Sequence, residues 1–110
     1  MSTIKNRVQL IGNVGQEPSI TILEDGKKLA RISLATNEHY SNKKGEKHTN
    51  TSWHNLIAWG KKADIIEEYV FTGRELAIEG KLSSRSYEDK DGVKRYVTEI
   101  TISEILLLGA

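Results

Sequence analysis

The chain has 110 residues, enough for one domain with a modest core, and its 37% hydrophobic and 28% charged residues describe an ordinary folded composition rather than a disordered one. It has no cysteine, which excludes disulfides, thiolate nucleophiles and cysteine-based zinc sites and suits a reducing cytoplasm. The formal net charge is only +1, so any binding to a polyanion must come from local placement of cations. The opening Met1-Ser2-Thr3-Ile4-Lys5-Asn6-Arg7 lacks the apolar core of a signal peptide, and the longest apolar run, Ile105-Leu106-Leu107-Leu108, is too short to span a bilayer.

In chain order, Arg7-Val8-Gln9-Leu10-Ile11-Gly12-Asn13-Val14 predicts a first strand. Val8 and Leu10 share one face, and Arg7, Gln9 and Ile11 the other. Gly12 and Gly15 predict a bulge or sharp bend, and Pro18, the only proline, a break. A second strand over 19–23 reaches Asp25-Gly26, a hairpin turn signal. The return strand over 29–36 sends Ala30, Ile32 and Leu34 inward and Arg31, Ser33 and Ala35 outward. Residues 37–50 are polar, with Lys43, Lys44, Lys47 and His48 around Gly45. They read as a long, mobile hairpin tip with Tyr40 near its base, and loops of that length in compact domains are usually functional or disordered.

The next strand, Trp53-His54-Asn55-Leu56-Ile57-Ala58-Trp59-Gly60, is the one around which the chain makes sense. Trp53, Asn55, Ile57 and Trp59 share one face, and His54, Leu56 and Ala58 the other. If Leu56 and Ala58 pack on a core, the two indoles point outward, roughly 20 Å apart at about 3.3 Å per residue. Taken alone, the segment is equally compatible with both indoles filling a core. A helix follows over 61–70, with Ile65, Ile66, Tyr69 and Val70 as its apolar stripe and Gly73 as a left-handed C-cap. The strand over 74–82 turns Leu76, Ile78 and Leu82 inward, with a bend at Gly80. Residues 83–88 and 93–97 form a hairpin across Asp89-Lys90-Asp91-Gly92, with Arg85 and Tyr87 on one face of its first arm. The last strand alternates through Thr98, Ile100 and Ile102. Short twisted strands, glycine bends and one central helix predict a small closed or partly open barrel without a linker or second domain.

Catalytic chemistry finds little support. His39, His48 and His54 have no metal-ligand spacing. Glu67-Glu68 and Asp89/Asp91 belong to a solvated helix face and a turn tip. No phosphate-binding glycine loop occurs, and Ser83-Ser84 has no base nearby in sequence. No metal, cofactor or enzymatic activity is expected. Stacking platforms interleaved with cations are what single-stranded nucleic acid requires. Tyr40, Trp53, Trp59 and Tyr87 supply the platforms. Arg7, Arg31, Lys43, Lys44, Lys47, Lys61, Lys62, Arg85 and Lys94 supply cations, and Asn55 a polar contact beside the tryptophans.

The sequence closely resembles the bacterial single-stranded DNA-binding protein family. Asn6-Arg7-Val8 and Gly12-Asn13-Val14-Gly15-Gln16-Glu17-Pro18 resemble its opening strand and its GN-(L/V)-G-x-(D/E)-P signature. Ile32-Ser33-Leu34-Ala35-Thr36 is similar to its third segment, and Trp53-His54 with Trp59-Gly60-Lys61 to its tryptophan strand. Glu68-Tyr69, Gly73, Ile78-Glu79-Gly80-Lys81-Leu82 and Arg95-Tyr96 match the remainder. The motifs occur together and in order over residues 5–103. The resemblance implies an all-β fold with one helix: an OB fold, a five-stranded Greek-key barrel with long hairpin loops, forming one domain over residues 1–110. It implies a homotetramer that binds and protects single-stranded DNA in replication, recombination and repair, cytoplasmic and nucleoid-associated. It places Trp53, Trp59, Tyr40 and Tyr87 at stacking positions and Arg7, Lys43, Lys61 and Arg85 at basic ones. Tyr40 and Tyr87 stand where relatives often carry tryptophan, and Asn55 where a basic residue is common. Relatives also carry a long tail with an acidic tip that recruits replication and repair proteins, whereas this sequence ends at Leu108-Gly109-Ala110 with no acidic tail. An OB-fold assembly factor resembling the primosomal replication protein, and a nuclease on the same barrel, are the competing readings.

Overall fold

A computed structural model describes residues 5–109. The expectations for residues 1–4 and for Ala110 lie outside the described residues. The elements are β1 (Val8–Val14), β2 (Ser19–Ile22), β3 (Lys28–Ser41), β4 (Lys47–Trp59), α1 (Lys61–Tyr69), β5 (Glu75–Glu88) and β6 (Lys94–Leu108). The strands are ordered β1-β5-β6-β4-β3-β2, and an added β1–β3 pairing closes the ring. Five strands therefore make the expected barrel. β2 continues β1 after the corner at 15–18 and lies along β3, with Ser19 opposite Arg31 and Ile22 opposite Lys28.

Closure brings backbones too close for a side chain at two glycines. A Cβ on Gly12 would run into the Ala35 carbonyl, and one on Gly80 into the Thr101 carbonyl. At the second corner the β5–β6 register shifts between Glu79 and Gly80, and this bulge lets the long sheet turn. The corner before Pro18 is tied to the helix exit: Glu17 Oε1 accepts from the Thr72 amide and hydroxyl, each at 3.1 Å.

The core is aliphatic. Val14, Ala30, Ile32, Leu34, Leu56, Ala58, Leu76, Ile78, Ile100 and Ile102 fill the barrel, and Ala63, Ile66 and Val70 close one end from the helix side. Alternation places Leu56 and Ala58 inside, which sends Trp53 and Trp59 out.

Several expectations are corrected. The segment 37–50 is not a long mobile tip: the β3–β4 ladder continues to Ser41 opposite Lys47, leaving only 42–46 as the turn. Tyr40 accordingly sits at the far end of this arm, not at its base. Within the turn the Asn42 side-chain oxygen accepts from the amides of Lys44 and Glu46, both at 2.9 Å, which shapes it locally. The buried helix stripe is Ala63, Ile66 and Val70, while Tyr69 is exposed. Val70 is the C-cap in extended conformation, and Gly73, with φ of 91°, belongs to the following turn, where its amide donates to the Val14 carbonyl at 2.7 Å. Leu82 is half exposed because β5 has by then left the barrel. There the Asn6 side chain acts as a stub of strand: its amide donates to the Leu82 carbonyl at 3.1 Å, and its oxygen accepts from the Leu82 amide at 2.8 Å. Ala35 has outward parity yet is buried, flanked in register by Trp53 on one side and Asn13 on the other.

Candidate nucleic-acid interface

The outer surface of β3 and β4 carries one row of side chains after another. Cross-strand register pairs Leu29 with Trp59, Arg31 with Ile57, Ser33 with Asn55 and Ala35 with Trp53. Residues directly opposite share a face, so Arg31, Asn55 and both indoles lie on one wall. Trp53 is 61% exposed and Trp59 41%. Most of Trp53 is open to solvent. The far edge of its ring lies over Gly15, where a Cβ would overlap it, so the glycine at the corner makes room for the indole. Beside Trp59 an open groove is lined by Leu23, Lys27, Lys28 and Lys61. Lys28 Nζ pairs with Asp64 at 2.8 Å and Glu67 at 2.7 Å, and these carboxylates, Asp64 foremost, hold its ammonium above the ordinary lysine range. Lys61 and Lys62 start α1, where the helix N-terminus adds potential of the same sign.

Two sites of the wall meet across the barrel. Arg85, on β5 opposite Val97, reaches Glu99 of β6: its Nε donates to Glu99 Oε1 at 2.9 Å. Arg31 from β3 donates Nη1 to Glu99 Oε2 at 3.0 Å. The bond to Glu99 raises the Arg85 guanidinium above its ordinary range. Both arginines are thus tied to a carboxylate that the sequence alone does not single out. Glu99 is 5% exposed, the one buried charged side chain among the described residues. Its outward parity between buried Ile100 and exposed Thr98 reads in sequence as an ordinary surface glutamate, and only the meeting of three strands buries it.

Tyr87 continues this wall, half exposed, with the Arg85 guanidinium 5.9 Å from its ring centroid. Tyr40 does not. It has the parity of Ile32 and Leu34, so it occupies the opposite face of the β3–β4 arm, stacked on His48 with centroids 5.5 Å apart. Lys94 likewise lies apart from Tyr87. It sits on the other face of the β5–β6 arm with its ammonium 5.7 Å from the ring of Tyr96. Tyr96, 74% exposed, is a further stacking candidate; in sequence it stands out only as half of the Arg95-Tyr96 motif. Arg7 is separated from the wall: its Nε donates to Glu79 Oε1 at 2.8 Å, six residues along β5 from Arg85. Gln9 and Arg7 together hold the Glu79 carboxyl below the usual range, Gln9 contributing most. Lys43, Lys44 and Lys47 crowd the far turn, and they, with Lys61 and Lys62, form no ion pair among the described residues. His54, behind the tryptophans, is half-buried against Thr36 at 2.9 Å.

No group of three or more metal-ligating side chains is found among the described residues, and no described helix is long and apolar enough to cross a membrane.

Comparison with known proteins agrees with this architecture. The model of the single-strand binding protein family matches residues 5–108. Single-stranded DNA-binding protein 1 of Chlorobaculum tepidum is 41% identical over 106 residues, 96% of this chain and 65% of that protein. Its namesake from Xylella fastidiosa is 40% identical over 105 residues, 94% of this chain and 77% of that protein. The chain therefore spans just under two thirds of the first relative's length. Among solved structures, a Plasmodium falciparum SSB in complex with ssDNA superposes with a TM-score of 0.87 at 32% identity, covering 99% of both chains. A deletion mutant of the single-stranded DNA binding protein from Thermus aquaticus superposes with a TM-score of 0.81 at 23% identity, covering 94% of this chain and 50% of that one, and shares the fold. With the family pattern matched over nearly its whole length and carried on the barrel it calls for, the chain belongs to the single-strand binding protein family.

Proposed function

We propose that this protein binds single-stranded DNA in a sequence-tolerant way and protects it during replication, recombination and repair, as a non-enzymatic cytoplasmic protein. The observation that carries this reading is the outer wall of β4. Two indoles stand exposed on a stiff strand whose other side is locked into the core. Exposed aromatic platforms of this kind stack bases of any identity. Trp53, Trp59 and Tyr87 are the platforms on the wall, and Tyr40 extends the path around the β3–β4 arm. Lys43, Lys44, Lys47, Lys61 and Lys62 act on phosphates, with Lys94 a further cation beside Tyr96 and Arg7 a cation already shared with Glu79. Asn55, Arg31 and Arg85 line the centre.

The protein works as an assembly of copies, a homotetramer by analogy with its relatives. Register puts Ile11 opposite Ala77 and Ala77 opposite Leu106, a three-strand apolar row in which Ile11 is 63% and Leu106 61% exposed. A face of this composition is suited to a second copy. Light scattering showing a stable monomer at micromolar concentration would refute the assembly.

Indole fluorescence tests the binding. Trp53 and Trp59 are the only tryptophans, so emission reports on β4 alone. A thymine homopolymer should quench most of it and duplex DNA little, since duplex bases already stack on each other. Trp53→Ala and Trp59→Ala should each cost about 1–3 kcal/mol of binding with melting near that of the parent. Absence of quenching together with a collapse of stability in both variants would overturn the reading and favour an assembly factor.

A further inference from the structure

We infer that His48 is a proton-dependent contact to the DNA backbone: neutral, it braces the turn beside Tyr40, and on taking up a proton it becomes a cation for a phosphate of the bound strand. The inference rests on the single-strand binding proposed above. His48 lies opposite Tyr40 in the β3–β4 ladder, and the two rings stack with centroids 5.5 Å apart and planes 24° apart. Both side chains are exposed on the outer arm. A strand that follows the arm past Tyr40 therefore passes His48 as well.

The turn fixes the resting state of the imidazole. A side-chain amide has one accepting end and one donating end. The Asn42 side-chain oxygen accepts from the amides of Lys44 and Glu46, both at 2.9 Å, so its NH2 is the end that meets His48 Nε2, at 3.1 Å. An NH2 group only donates, so Nε2 accepts, and the ring is neutral with its hydrogen on Nδ1. Protonating Nε2 sets N–H against N–H and ends this bond. Turning the Asn42 amide over does not mend it, because its oxygen would then abandon two backbone amides of the turn. The proton thus does two things at once: it charges the ring and releases it from Asn42.

The surrounding charges decide what the released ring binds. On its own face the titratable neighbours are Tyr40 and, one pair further along, Glu38 of β3, with Glu46 of the turn, whose Oε2 lies 3.9 Å from Nε2. Lys43, Lys44 and Lys47 crowd the same tip. Glu46 is a distant and exposed partner, and ion pairs of that kind contribute little. A phosphate drawn to the three lysines brings a further anion to the same place. An anion beside a histidine favours its charged form. Binding then takes up a proton, and by reciprocity affinity rises as pH falls. Histidine changes charge between about pH 5 and 8, so the response belongs to that window.

The test is a fluorescence titration with a thymine homopolymer, whose bases do not titrate in this window, at about pH 8 and about pH 5.5 and at several salt concentrations. Affinity should rise about two- to fivefold for each arm engaged, the scale of one exposed ion pair. The slope of log affinity against log salt should steepen by about 0.7, one added phosphate contact on a single strand. His48→Gln offers Asn42 an acceptor but carries no charge, and should abolish the response to pH. His48→Lys is charged throughout and should show the steeper salt slope at both pH values. Asn42→Asp replaces the donor facing Nε2 with an acceptor, which suits the protonated ring, and should move the midpoint of the response to higher pH. His39→Gln, on the other face of the arm, should keep the response. Affinity and salt slope that stay the same at both pH values, with binding intact, overturn this inference alone and need no variant to fold. A response that survives His48→Gln overturns it too. Failure to bind the homopolymer at either pH overturns the underlying proposal along with it.

Discussion

The β3–β4 ribbon is one continuous ladder, yet its two halves have different fates. In the barrel wall, residues 29–35 against 53–59 alternate between a sealed core and an open face. In the outer arm, residues 37–41 and 47–52, both faces are exposed. Burial dictates orientation in the wall: turning Trp53 inward would turn Leu56 and Leu34 out. Nothing of that kind acts on the arm. Its order comes from backbone pairing and a few polar contacts, His39 to Thr49 at 3.0 Å, Thr51 to Asn37 at 2.6 Å and Asn42 to His48 at 3.1 Å. Segments with few buried apolar contacts open at low free energy. The wall is therefore a rigid platform and the arm a compliant one, and the proposed binding of single-stranded DNA draws on both.

The largest expected difference lies in stability. Leu56→Ala should cost about 2–5 kcal/mol in a denaturant melt, as buried leucine truncations do, whereas Tyr40→Ala at the arm's end should stay within about 0.5 kcal/mol of the parent. Equal losses at the two sites would erase the distinction between wall and arm. Next is Gly15→Ala. The added methyl overlaps the far edge of the Trp53 ring, an exposed group free to swing. Binding should weaken by up to one base stack, about 1–3 kcal/mol, with a shifted Trp53 emission and a melting point close to the parent's. A severe loss of stability would mean that Trp53 is part of the packing rather than a platform.

Replacing Lys43, Lys44 and Lys47 with glutamine probes the arm's charge. The slope of log affinity against log salt should flatten by about 0.7 for each phosphate no longer neutralised, while stacking leaves a component that salt does not remove. An unchanged slope would reduce the arm to a solvated turn. The smallest effect concerns pH. In the β5–β6 turn the Arg95 guanidinium, assisted by the amides of Val93 and Asp91, holds the Asp89 carboxyl below its ordinary value near 3.8. A carboxyl depressed in the folded state stabilises it above that ordinary value and loses the contribution as pH falls through the folded one. Melting temperature should thus show no change from Asp89 between neutral pH and about pH 4, and a modest decline below. Asp89→Asn should remove that part of the decline, and an identical acid profile would show that the turn's ion pair does not contribute.

Much of this is legible in the residues because burial and alternation are local in sequence. Alternation splits β4 into a Leu56/Ala58 face and a tryptophan face, and it takes the rest of the chain's motifs to favour the tryptophans as the outward one. Asp25-Gly26 and Asp89-Lys90-Asp91-Gly92 announce their turns. Several of the errors fall where a strand outruns the barrel. Residues 37–50 are polar on both faces and so look like a loop, because no core is there to impose alternation. Leu82 and Tyr40 carry inward parity beyond the point where an inside exists.

By itself, then, the order of residues determined the barrel, its single helix, the two alternating faces of β4 and the family, since each depends on short-range periodicity and on motifs in fixed succession. The tertiary structure alone decided which cations are free and which are committed. Arg31, Arg85 and Glu99 are separated by up to 68 positions and meet only because β3, β5 and β6 close around one barrel. Arg7 is drawn to Glu79 across β1 and β5 by register rather than by anything in its own segment. A charge's partner is set by distance in space, and for these side chains distance along the chain carries almost no information about it.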